Sequence, residues 1–458
     1  LEFRRVLFRS PIERVGVAPE AFGELMRQAY GVTAARMAES LASDGDLAST
    51  ASEHNLDAIE ADDVHRMAEQ PTLVNLVNLL ILEAIQKRTS DIHIEPFEGE
   101  LKVKYRVDGV LIEQPSPPKH LQPAIIGRIK IMSQMNIAER YVPQDGHISL
   151  RYEGRKVDIR VSTVPTIYGE SVVMRILDKS SLPLELRSLG MGDRHVAMMD
   201  KLIAKPHGLV LVTGPTGSGK TTTLYAALSK LYDPRKKIIT IEDPVEYELT
   251  GINQIPVNPK RGLTFASGLR SILRQDPDVI LVGEVRDAET VDIAIRSALT
   301  GHLILSTLHT NDALSSVGRL VDMGAESFLV ASVLEGLLAQ RLGRRICRQC
   351  RRRVPMTDDQ RVRIAPGEVD RFGGEVTVGA GCEACSNSGF RGRLGYFELA
   401  RINPALRAAI AEGQGVIELK QLVDADFVTM RDDGMTKAVS GETTIEEVLR
   451  ATQDVDEG

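Results

Sequence analysis

The run Gly214-Pro215-Thr216-Gly217-Ser218-Gly219-Lys220-Thr221 constrains this 458-residue chain more than any other segment. It fits the pattern G-x-x-x-x-G-K-[ST], and its surroundings fit as well. An apolar run at residues 209–212 precedes it, and a helical stretch over residues 222–231 follows. Glycines at these positions let the backbone curl so that its N–H groups face phosphate oxygens. The start of the following helix adds positive potential at the same place. In such a loop Lys220 reaches the β- and γ-phosphates and the Thr221 hydroxyl ligates Mg2+. Residues Gly214 to Thr222 are therefore the expected ATP-binding segment. An ordinary glycine-rich turn would share the letters without needing the strand before it and the helix after it.

Further apolar runs at residues 238–241, broken only by Thr240, and 279–282 are each followed by helix-like periodicity. Buried strands separated by helices imply a parallel sheet covered on both faces, an α/β domain placed at residues 186–340. Glu242-Asp243-Pro244-Val245-Glu246 follows the first of these runs. A parallel sheet puts those carboxylates at the strand's C-terminal edge, beside the phosphate loop, where one of them can orient or deprotonate an attacking water. Alone, the same five residues would more often be a solvated turn. The second run ends in Gly283-Glu284, where ordinary Walker B motifs have Asp-Glu. Glu284 is then the single carboxylate at that tip, expected to hold Mg2+ through water or to polarise the nucleophile; the plainer alternative is a solvated Glu closing a buried strand. A third apolar run is flanked by His302 and His309. Either imidazole could contact phosphate or relay the nucleotide state, although a His beside a strand is more often structural.

All four cysteines fall in two CxxC pairs, Cys347/Cys350 and Cys382/Cys385. Thiolates at this spacing can close a tetrahedral Zn2+ site. Such a closed site fixes the shape of a module, here residues 341–399, and leaves catalysis elsewhere; a redox-active CxxC is the alternative, but no thioredoxin-like pattern accompanies it. A polar helical region, residues 400–458, ends the chain. Ahead of the α/β domain, an amphipathic helix at 71–88 precedes strand-like runs at 91–94, 101–107, 147–150, 156–161 and 171–177, with a helical stretch at 121–139 between them. That pattern suggests a small α+β domain over residues 64–185. Residues 1–63, rich in Ala, Glu, Asp and Ser, read as weak helices and a linker. Their first ten (LEFRRVLFRS) are basic and poorly patterned, and are set aside as a truncation edge or non-native remnant.

A net charge of −7, 4% aromatic residues and no Trp oppose a general nucleic-acid binder and a base-stacking platform. Local basic patches could still meet an anionic lipid surface. No run reaches the roughly 18 apolar residues that span a bilayer, and no secretory signal is visible, so a cytoplasmic location is expected.

Taken in order, residues 90–96 (SDIHIEP), 105–109 (YRVDG), 143–146 (PQDG), 160–165 (RVSTVP), GPTGSGKT, EDPVE, 274–278 (RQDPD), 283–287 (GEVRD) and 306–312 (STLHTND) carry a family resemblance. From about residue 70 onward the chain resembles the secretion ATPase superfamily of type II secretion and type IV pilus assembly, most of all its GspE/PulE-type assembly ATPases. The resemblance implies a homohexamer whose subunits pair a small N-terminal, PAS-like α+β domain with a RecA-like P-loop ATPase domain. It implies that Glu246 is the catalytic glutamate of the Asp box, Glu284 the Walker B glutamate, and His302 and His309 the His box. Arg160 and Arg175 match N-terminal-domain arginines that reach the γ-phosphate; by themselves they look like surface strand residues. The tetracysteine module resembles that of assembly ATPases, and retraction ATPases generally lack it. Type II members usually carry an extra N-terminal domain that docks on a membrane-anchored adaptor; only about 60 residues precede the shared region here, and docking through such a domain is left open. The expected activity is ATP hydrolysis that drives type II secretion through pseudopilus assembly, peripheral to the inner membrane through a platform protein and the adaptor, with no nucleic acid. Type IV pilus assembly is the nearest alternative. A nucleic-acid motor is opposed by the acidic composition, and a nucleotide-binding scaffold without turnover by the presence of Glu246 and Glu284.

Overall fold

The computed structural model describes residues 71–153, 155–178 and 185–456, which fall in two units, Leu1–Lys179 and Ser180–Gly458. The linker reading for residues 1–63 and the basic first ten residues lie outside the described residues. No helix among the described residues is long and apolar enough to cross a membrane.

The first unit opens with the helix Pro71–Gln86. Its buried residues Leu73, Leu76, Val77, Leu80, Ile81 and Ala84 recur every three or four positions and form a single apolar stripe. That stripe shares a core with a six-stranded sheet built from β1 (Thr89–Pro96), β2 (Leu101–Val107), β3 (Val110–Gln114), β4 (Gln144–Tyr152), β5 (Arg155–Thr166) and β6 (Gly169–Asp178). The order is β3-β2-β1-β6-β5-β4, antiparallel throughout. Strand alternation puts Val157, Ile159 and Val161 inward. The fully buried Tyr105 donates from its hydroxyl to Leu80 O at 2.7 Å, tying β2 to the first helix. The helix expected over 121–139 is shorter, Gln122–Met132. Ser133 turns its hydroxyl back onto Ile129 O, Gln134 takes a φ of +60°, and Gln144 captures the Asn136 backbone, so the chain leaves the helix there. β3, for which no strand was expected, is an exposed edge strand and lacks the apolar-inward alternation of its neighbours.

The second unit holds β7 (Gly208–Thr213), β8 (Ile238–Glu242), β9 (Asn253–Pro256), β10 (Val279–Val282), β11 (Leu303–Leu308), β12 (Leu334–Ile346), the ribbon β13 (Arg351–Pro355) and β14 (Glu375–Gly379), and β15 (Phe390–Arg401). Seven of them form one sheet in the order β15-β12-β7-β11-β10-β8-β9, parallel except for β15. Both faces are covered. Leu209, Leu211, Ile280 and Ile304 pack on one side with the helices Phe265–Ile272 and Ala288–Leu299. Val210, Val212, Leu281 and Leu305 pack on the other with Asp193–Ile203 and Lys220–Leu231. The boundary expected at residue 340 falls inside β12, and the one at 399 inside β15. Both strands belong to the ATPase sheet, and the cysteine segment leaves from one and returns through the other.

Candidate nucleotide site and tetracysteine cluster

β7 ends at Thr213, and the loop that follows turns through Gly214 at φ +146° and Gly219 at φ +87°, backbone states that side-chain-bearing residues rarely adopt. Space is equally restrictive. A Cβ on Gly214 would stand 2.4 Å from Gln340 O, and one on Gly219 would stand 2.8 Å from Gln340 Nε2. β12 therefore seats the loop, and Thr223 Oγ1 donates to Gln340 Oε1 at 2.6 Å to hold the next helix against the same residue. Lys220 curls back so that Nζ donates to Gly214 O at 2.8 Å and Pro215 O at 3.0 Å. Burial brings the pKa of this ammonium down to about 8; Glu284 opposes the shift and Arg341 adds to it. The buried Ser218 hydroxyl has no hydrogen-bond partner among the described residues. A positive-φ loop at a helix start, a half-desolvated lysine and an unpartnered hydroxyl together fit a polyphosphate.

Hydrogen bonds lock the neighbouring strand tips together. Ser306 Oγ donates to Val282 O and Thr307 Oγ1 to Gly283 O, both at 2.7 Å. Thr310 N donates to Thr213 Oγ1 at 2.8 Å. Glu284, just past β10, lies with Oε2 3.3 Å from His309 Nε2, and its other oxygen pairs with Arg286. That pairing, the largest influence on Arg286, pushes its pKa above the usual guanidinium range. Tyr225, on the helix that follows the loop, donates to Glu242, whose Oε1 also accepts from Thr240 Oγ1 at 2.5 Å and Gln254 Nε2 at 3.2 Å. Burial first, then Glu242, pushes the Tyr225 phenol far above its ordinary range, so it remains a donor. The same hydroxyl accepts from Glu246 N at 3.3 Å. Glu242 is thus consumed by structure, while Glu246 stays half-buried on the loop after β8.

Lys220, Glu284 and His309 gather at the C-terminal ends of the parallel strands, and Glu246 sits on the loop that leaves the same edge. His302 does not join them. It precedes the first residue of β11, and at about 3.3 Å per residue the strand separates it from His309 by roughly 20 Å. There its Nδ1 lies 2.9 Å from Ser297 O, and its carbonyl accepts from Gly208 N at the start of β7. Within one chain the expected histidine pair is therefore split between opposite edges of the sheet. Arg160 and Arg175 lie in the first unit, directly opposite each other on β5 and β6. Arg175 Nε donates to Asp91 Oδ1 at 2.8 Å. Burial raises the pKa of Asp91, but the bonds from Arg175 and Ser90 and the Arg175 charge outweigh it and hold the carboxyl below its usual range. Several functional contacts were missed in the sequence. Thr310 and Arg286 sit inside the motifs STLHTND and GEVRD, which could have pointed to them; Gln340 and Arg341 come from β12 with no local signal.

The four cysteine sulfurs all lie within 4.8 Å of one another. Cys347–Cys382 and Cys350–Cys385 are 3.8 Å apart, and Cys382–Cys385 3.7 Å. Tetrahedral Zn–S bonds of about 2.3 Å require sulfurs about 3.8 Å apart, so the cluster fits zinc. Backbone N–H groups of Cys382 and Gly389 donate to Cys385 Sγ at 3.2 and 3.3 Å. Burial works against the thiolate, yet these bonds, together with those from the Cys382 and Cys350 thiols, overcome it and bring the Cys385 pKa down to about 6.

Comparison with known proteins agrees with this geometry. The family described as "Type II/IV secretion system protein" matches residues 66–450. The type II secretion system protein E of Dickeya dadantii (strain 3937) is 46% identical over 459 residues, 99% of this chain and 90% of that protein. Among solved structures, the Legionella pneumophila ATPase DotB aligns with a TM-score of 0.61 at 22% identity, over 83% of this chain and 95% of DotB, a likeness of fold. The pilus retraction motor PilT with bound ADP aligns with a TM-score of 0.55 at 28% identity, over 82% of this chain and 97% of PilT. With its RecA-like sheet and phosphate loop, this chain belongs to the type II/IV secretion system protein family as one of its ATPases.

Proposed function

We propose that this ATPase drives type II secretion from the face of the inner membrane, as a homohexamer acting on a platform protein and a membrane-anchored adaptor. The convergence of Lys220, Glu284 and His309 at one sheet edge beside the phosphate loop supports the chemistry. The name carried by the Dickeya relative favours type II secretion over pilus assembly. Backbone N–H groups of residues 216–221 and Lys220 hold the β- and γ-phosphates of ATP. Thr221 and Glu284 are the groups that would hold Mg2+, which when bound neutralises phosphate charge. Glu246 orients and deprotonates the attacking water. Arg160 and Arg175 supply guanidinium charge to the transferring phosphoryl group. Cys347, Cys350, Cys382 and Cys385 are the residues that would hold Zn2+, which when bound would fix the shape of the insertion.

Steady-state hydrolysis by two variants tests the reading. Glu246→Gln should keep ATP affinity while turnover falls by about 10²- to 10⁴-fold, the usual worth of a general base. Lys220→Ala should lose nucleotide binding itself. A Glu246→Gln protein that turns over like the parent would remove the assigned base. Specific activity that falls on dilution would support a site completed by assembly of the ring.

A further inference from the structure

Glu398 is a buried carboxylate that the proposed chemistry does not use. It lies on β15, two strands from the phosphate loop, in the register row Thr213–Ala339–Glu398. Between β11 and the helix Ser315–Asp322, the chain crosses the tips of this sheet as a short strap, and its residues are held one after another. His309 meets Glu284 after β10 at 3.3 Å. Thr310 donates to Thr213 at the end of β7. Asn311 Oδ1 accepts from Arg341 Nη2 of β12 at 3.3 Å. Ala313 N donates to Glu398 Oε1 of β15 at 3.0 Å. The second oxygen of Glu398 accepts from Met430 N, the first residue of the helix Met430–Val439, at 3.2 Å. A parallel link joins Lys420, on the short helix Val416–Lys420, to Asp312 of the strap at 3.2 Å.

We infer that Glu398 is a positioning residue of the ATPase: its two oxygens fix the strap that carries His309 and couple it to the C-terminal helices. An ionised carboxylate suits this task because both of its oxygens only accept, and each meets a backbone N–H from a different element; burial raises the Glu398 pKa, and these two N–H bonds oppose the rise. A buried group bonded at both ends permits few alternative placements of either partner. Movement of the C-terminal helices would reach His309 and Glu284 through this carboxylate, with Lys420–Asp312 as a second, more exposed arm. The inference rests on the ATPase reading of the site.

The test combines Glu398→Gln, Lys420→Ala and His309→Ala in the full chain. Glu398→Gln turns one acceptor into a donor facing an N–H. Amide hydrogen exchange over residues 309–314 should accelerate in Glu398→Gln whether or not the protein hydrolyses ATP, which separates this inference from the ATPase reading. For a parent that hydrolyses ATP, turnover should fall about tenfold in Glu398→Gln, with affinity for a fluorescent ATP analogue kept within about twofold. In a His309→Ala background the same change should cost less than about twofold, because both act through one strap. Unchanged exchange over 309–314, or a full loss of turnover carried into the His309→Ala background, would overturn the inference. Should Glu398→Gln fail to fold, Lys420→Ala decides: faster exchange over 309–314 supports the coupling, and parent-like exchange refutes it.

Discussion

Lys220 is held by two carbonyl oxygens in a site that disfavours its charge, and its pKa of about 8 follows chiefly from burial. The direction has a consequence for binding. A triphosphate prefers the ammonium form, so its affinity is full below pH 8 and declines as pH rises past it. One proton is at stake, which limits the slope to about tenfold per pH unit. Titration with an ATP analogue between pH 7 and 9.5 should show this decline in the parent. In Lys220→Met binding should be weak throughout and flat over the same range; an equal slope in both proteins would assign the titration to another group. Residues of this kind were legible because the motif names them. Glu242 was less so: in EDPVE it and Glu246 look alike, and only Tyr225, Thr240 and Gln254 distinguish the buried carboxylate from the half-buried one. His302 and His309 likewise share one motif, yet strand geometry sends them to opposite edges.

Among elements, β7, β8, β10 and β11 were readable because strands buried on both faces are nearly uninterrupted apolar runs. β12 and β15 were not recognised as neighbours in that sheet. β12 mixes Glu335, Gln340 and Arg341 into its buried face, and its antiparallel partner returns only after the cysteine segment. One of the polar residues that obscure the strand, Gln340, is the one that seats the phosphate loop. Gln340 is buried and its Oε1 accepts from Thr223. Thr223→Val keeps the shape and removes the hydroxyl, leaving that oxygen unpaired. The expected cost is about 1–3 kcal/mol, read as a lower midpoint in denaturant unfolding, with Thr223→Ser retaining most of the parent's stability. Equal midpoints for Val and Ser would show that the contact contributes little to holding the helix Lys220–Leu231 on β12.

On the scale of the molecule, the tetracysteine segment is an insertion whose ends are fixed independently of its interior. β12 and β15 pair from Gly336↔Arg401 to Arg344↔Arg393 before the chain reaches the first cysteine, and the β13–β14 ribbon lies beyond them. Four sulfurs close this segment at its base, and structural zinc sites of this type contribute directly to folding. Removing the metal should therefore loosen the insertion while leaving the sheet and the phosphate loop in place. The purified chain should hold about one Zn2+, as expected of a single four-thiolate site. After chelation, amide exchange should accelerate over residues 347–389 and stay slow over β7 and β11. Affinity for an ATP analogue should remain within about twofold, because the first cysteine follows the end of β12, roughly 20 Å of strand beyond the Gln340 that seats the nucleotide loop. Cys382→Ser should reproduce the chelated state without chelator. Loss of nucleotide binding together with zinc would mean that the paired strands transmit the collapse of the insertion to Gln340 and the phosphate loop, and that β12 and β15 cannot hold their register without the metal.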